Sequence, residues 1–74
     1  MDIRDGVRPA IIQSGLKQSA VAARIGLTEQ QLCDIGSKRR KMDANEMIDF
    51  CKVVGVTPNE LYGIARQYAE EKLA

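Results

Sequence analysis

At 74 residues the chain has room for one small domain, taken here as residues 1–74, and none for a separate catalytic layer. It is 45% apolar and 28% charged, has no apolar run near the ~20 residues that span a bilayer, and holds two cysteines but no histidine, so disordered, membrane-spanning and zinc-binding classes are set aside. The net charge of +1 conceals a gradient: residues 1–41 carry eight Lys and Arg against four Asp and Glu, a net +4, and residues 42–74 carry three against six, a net −3.

The opening stretch MDIRDGVRP mixes both charge signs and lacks the apolar segment of a secretion signal, so a cytoplasmic protein is expected. Ile3, Val7, Ala10 and Ile11 recur at helical spacing, but Gly6 and Pro9 interrupt them, which predicts a helix that kinks or starts late. Ala20, Val21, Ile25 and Leu27 mark a second helix over 18–25, ended by Gly26 in the left-handed conformation. T-E-Q-Q at 28–31 reads as a capping box, in which two side chains satisfy orphan backbone donors, and Leu32 and Ile35 follow as the stripe of a third helix. D-A-N-E at 43–46 is a looser box before Met47, Phe50, Cys51 and Val54. T-P-N-E at 57–60, with Pro58 at the favoured first helical position, opens a fifth helix carrying Leu61, Ile64, Ala65 and Tyr68. The expected fold is therefore all-α, with five helices. Cys33 and Cys51 are eighteen positions apart and are expected to be reduced, with Cys51 in the core.

Between the second and third helices only Gly26 and Leu27 are free to turn, so the two short helices must cross steeply, which is helix-turn-helix spacing over about 18–35. Small Ala22 permits close approach, while Leu27, Leu32 and Ile35 fill the angle. The residues left outside on the later helix are polar: Glu29, Gln30, Gln31, Asp34 and, at the margin, Cys33. A glutamine can pair bidentately with adenine in a major groove, and a carboxylate can accept from cytosine N4 but otherwise repels phosphate. Four consecutive cations, Lys38, Arg39, Arg40 and Lys41, follow; such a run must be solvated or face an anion.

Three blocks in register give this sequence its resemblance to a family: G-L-K-Q at 15–18, A-A-R-I-G-L-T at 22–28 and C-K-V-V-G-V-T-P-N-E-L at 51–61. It resembles the Cro and phage-repressor type of helix-turn-helix regulators, also called the xenobiotic response element family, whose fold is the five-helix lambda-repressor-like DNA-binding domain. The resemblance implies that Gln18 and Thr28 meet phosphates, that Glu29, Gln30, Gln31 and Asp34 read bases, and that Lys38, Arg39, Arg40 and Lys41 form a phosphate-contacting loop. It also implies a bacterial, phage or mobile-element protein. Three departures stand out: Lys17 replaces the usual threonine cap, Gly36 is expected to end the recognition helix early and loosen the basic loop, and Pro9 replaces a helix former.

With no histidine, and no Ser or Cys beside a matched base, catalysis is not expected; Glu70 and Glu71 are adjacent on a helix and point apart. No cofactor, metal, membrane or small-molecule ligand is expected either. The first function expected is a DNA-binding transcriptional regulator, a repressor, acting as a homodimer on a palindromic operator, because one module this small buries too little duplex to bind tightly alone. The C-terminal helix, about 58–73, offers Ile64, Tyr68 and Leu73 for the dimer contact, or for closing the core. The alternative is a helix-turn-helix fold used to bind protein, an anti-repressor or antitoxin-like module, for which Glu29 and Asp34 speak.

Overall fold

A computed structural model describes residues 1–73, with side-chain surroundings through residue 71. Among the described residues there is no strand. A 3-10 helix over Ile3–Gly6 leads into five α-helices: α1 (Val7–Ser14), α2 (Gln18–Arg24), α3 (Glu29–Gly36), α4 (Ala44–Val54) and α5 (Pro58–Leu73).

The first helix starts late, as Pro9 predicts. Pro9 is the third residue of α1, within the first turn, where a missing N–H costs little. Upstream the chain tightens into the 3-10 helix, capped by Asp2, whose carboxylate accepts from the Arg4 N–H at 2.9 Å. Its glycine has a tertiary reason: a Cβ at Gly6 would lie 2.9 Å from the Leu61 carbonyl oxygen and 3.1 Å from the Ala65 backbone nitrogen, so the 3-10 helix rests directly on the backbone of α5.

All three boxes read from the sequence form. Thr28 Oγ1 accepts from the Gln31 N–H at 3.0 Å while Gln31 Oε1 accepts from the Thr28 N–H at 2.9 Å. Asp43 with Glu46, and Thr57 with Glu60, repeat the reciprocal pattern. Lys17 caps α2 with no side-chain bond, as its departure from threonine implies. The exception lies at the end of α3. Gly36 does not end that helix early: it is its last helical residue, and the left-handed residue is Lys38, at φ 67°. The glycine is explained by the stem of Arg8, whose Cγ would sit 3.3 Å from a Cβ at that position.

The core gathers one stripe from each helix: Val7, Ala10 and Ile11 of α1, Val21 and Ala22 of α2, Leu32 and Ile35 of α3, Phe50, Cys51 and Val54 of α4, Leu61 and Ala65 of α5. Phe50 is fully enclosed at its centre. Ile25, Met47 and Ile64 pack against this cluster half-buried. Both cysteines are free thiols, and burial pushes the Cys51 thiol up.

Candidate nucleic-acid interface

The joint between α2 and α3 is built from backbone hydrogen bonds. Gly26, at φ 74°, turns the chain; its N–H donates to the Ala23 carbonyl at 3.3 Å, and the Leu27 N–H donates to the Ala22 carbonyl at 2.9 Å. That pairing is the Schellman motif, which a left-handed glycine makes cheaply. Buried Ala22 lets α3 close against α2, and Leu32 and Ile35 turn inward, leaving the remaining face of α3 outside.

On that face Glu29, Gln30 and Gln31 are exposed and Asp34 is half-buried. Three of these side chains are already engaged. The Gln31 amide closes the capping box, and Gln30 Nε2 donates to Asp34 Oδ1 at 3.0 Å, one helical turn on. Asp34 also meets the Arg39 guanidinium at 3.5 Å. Gln18 stands half-buried as the first residue of α2, and Thr28 is exposed at the cap of α3.

The basic loop runs on directly from α3. The Asp34 carbonyl accepts from the Arg39 N–H at 2.8 Å and the Arg40 N–H at 3.1 Å, folding the cationic run back on the helix end. Lys38 Nζ lies 2.9 Å from Asp5, Arg40 Nη1 lies 3.0 Å from Glu46, and Lys41 is exposed with no ion pair among the described residues.

Arg4 went unread in the sequence, although it holds this loop in place. One of its nitrogens donates to the carbonyls of Lys38, at 3.3 Å, and Arg40, at 3.0 Å, while the others grip Asp2 at 2.6 and 3.0 Å. The loop that Gly36 was expected to loosen is thus tied to the chain's first turn. The D-I-R-D alternation at 2–5 is the only local trace of this clasp, and its partner lies more than thirty residues away. Arg8, also unread, extends across Gly36 toward Cys33 Sγ, 3.8 Å from its Nη2.

The Arg4 guanidinium beside Asp2 holds its carboxyl at about 2, below the ordinary 3.8. A lowered pKa in the folded state means that this pair's contribution to stability is complete above about pH 4 and disappears as the pH falls toward about 2. Acid unfolding followed by circular dichroism should show this: Asp2→Asn lowers stability at neutral pH, and its difference from the parent chain closes across that window.

Ile64 and Tyr68 are half-buried and line a shallow groove between α1 and α5 with Pro9, Gln13, Gln67 and Glu71. Ile12 stands outside, 79% exposed. The side chain of Leu73 lies outside the described residues. Among the described residues no group of three His, Cys, Asp or Glu could hold a metal ion, and no helix is long and apolar enough to cross a membrane.

A family model for the Cro/C1-type helix-turn-helix DNA-binding domain matches residues 8–66, a span that takes in α2, its glycine turn, α3 and the basic loop. No curated protein and no solved structure matches the chain. By that match, and by the helix pair and turn just described, the chain belongs to the family of Cro/C1-type helix-turn-helix DNA-binding domains.

Proposed function

We propose that this DNA-binding domain is a sequence-specific transcriptional regulator, a repressor, that lays α3 in the major groove and holds the flanking phosphates with its basic loop. The observation that carries the reading is the continuity of the two surfaces: the exposed polar face of α3 passes without a break into a loop of four cations whose backbone Arg4 holds. Gln30 and Glu29 read bases; Gln18, Thr28 and the cations Lys38 to Lys41 hold phosphates; Asp34 orients Gln30 through their hydrogen bond. Gln31 joins the reading only where its amide leaves the cap.

Two copies bind a palindromic operator, because half-sites one helical turn apart double the duplex surface a small module can engage. The groove between α1 and α5, with Ile64, Tyr68 and neighbouring Ile12, is the surface for pairing. The setting is the cytoplasm of a bacterial cell, where the duplex is accessible.

A second reading, a domain turned to protein binding, is favoured by one observation: Lys38, Arg39 and Arg40 already have carboxylate partners. Selection from a pool of random duplexes at two salt concentrations separates the two. The regulator retains a palindromic motif, more weakly at high salt, and Gln30→Ala relaxes one position of each half-site by about 1–3 kcal/mol. A pool with no enrichment at low salt would transfer the assignment to the protein-binding module. Gln31 is left intact in this test because its loss would also open the helix cap.

A further inference from the structure

We propose that Asp5, Asp34 and Glu46 act as built-in stand-ins for DNA phosphate, and that they set the selectivity of the domain by weakening its hold on duplex of any sequence. The inference rests on the reading of the basic loop as the phosphate-contacting element.

Three neighbouring cations each have a carboxylate drawn from a different element: Lys38 from the 3-10 helix through Asp5 at 2.9 Å, Arg39 from α3 through Asp34 at 3.5 Å, and Arg40 from α4 through Glu46 at 3.0 Å. Asp34 and Glu46 stand five and six positions from their cations, and the fold brings Asp5 to the same short loop from more than thirty positions away. In every pair the acid is the more sheltered partner, with side-chain exposures of 14, 30 and 18% against 47, 69 and 33% for the cations. The carboxylates therefore lie beneath the cations.

A lysine ammonium has three donors and a guanidinium five, so a pair that uses one or two leaves others for a phosphate arriving from outside. The geometry for phosphate binding is kept while the net attraction is reduced. Phosphate attraction supplies nearly all sequence-independent binding, so cutting it lowers the background on which bases are read by α3. Lys41, which has no ion pair among the described residues, retains its full pull. Arg4 has the complementary task of holding the loop carbonyls while the side chains exchange carboxylate for phosphate.

The test measures binding of the full chain to a mixture of 20-base-pair duplexes of random sequence, by fluorescence anisotropy over a fourfold range of salt. The variants are Asp5→Asn, Asp34→Asn and Glu46→Gln, singly and together, beside a chain in which Lys38, Arg39 and Arg40 are all alanine. Asn and Gln keep the acceptor oxygens of the caps and of the Gln30 hydrogen bond, and helix content by circular dichroism verifies that each chain is folded. Each neutralised acid should tighten random-duplex binding by about 1.5- to 5-fold at low salt, the worth of an exposed ion pair. The slope of log affinity against log salt should steepen by up to about 0.9 per acid. A purely structural role would leave the slope unchanged and weaken binding. Duplex binding that appears only in the neutralised chains also supports the proposal.

If the folded, neutralised chains bind no tighter while the alanine loop still binds worse, the stand-in role is overturned and the loop keeps its phosphate-binding role. If the alanine loop binds as well as the parent, or no chain binds duplex at all, the reading of the loop itself fails and takes the proposal with it.

Discussion

Replacing Lys38, Arg39 and Arg40 together by alanine is expected to reduce duplex affinity more than about tenfold at low salt and to flatten its salt dependence; the slope lost here and the slope gained on neutralising the three acids together come to about 2.7 in log–log terms, 0.9 for each phosphate. Lys41 keeps its charge in the variant, so a shallower salt dependence should remain. Two effects add. The cations cease to displace counterions from the duplex, and Asp5, Asp34 and Glu46 are left facing DNA without their partners. The fold should survive, because Lys38 and Arg39 are exposed, Arg40 is only half-buried, and the loop is held through its carbonyls, which alanine retains. Titration into labelled duplex at several salt concentrations, with thermal melting alongside, provides the check. An unchanged slope in a folded variant would exclude the loop from the interface.

Gly6→Ala is expected to have the largest effect on stability of any single added methyl group. The new Cβ would meet the backbone of α5 at Leu61 and Ala65, and neither atom can rotate aside as a side chain would. Forcing an extra carbon into a packed site costs about 1–3 kcal/mol. A domain of this size has a total stability of roughly 4–11 kcal/mol. The corresponding fall in Tm is about 4–24 °C, readable by circular dichroism. DNA affinity should fall with it, because a 3-10 helix lifted from α5 takes Arg4 away from the loop carbonyls it holds. By contrast, alanine at Gly36 would need only the flexible stem of Arg8 to shift.

Gly6 also shows where the sequence stops being readable. By composition it weakens a helix; its reason for being glycine is a backbone more than fifty positions away. Features that depend on neighbours three or four residues apart were legible: the three capping boxes, the left-handed Gly26, the buried stripes and the late start imposed by Pro9. The α2–turn–α3 pair could be placed because its turn, its caps and its apolar residues all lie within about twenty positions. Gln31 marks an intermediate case. T-E-Q-Q announced a capping box, and the same glutamine was expected to read a base, but one amide cannot occupy both places at once; here it is in the cap. The loop was legible as charge and not as structure. Four cations in a row carry no sign of which acids the fold brings beneath them, or that Lys38 takes the left-handed conformation usually left to glycine.

α3 is anchored through few of its residues. Leu32 and Ile35 are its buried side chains, its turn is secured by backbone bonds of α2, and its cap belongs to Thr28 and Gln31. Positions 29, 30 and 33 carry neither the core nor the cap, so a library randomised there should remain folded. The scaffold is accordingly suited to retargeting: new operator preferences could be selected on those positions while the loop, its clasp and the core stay as they are.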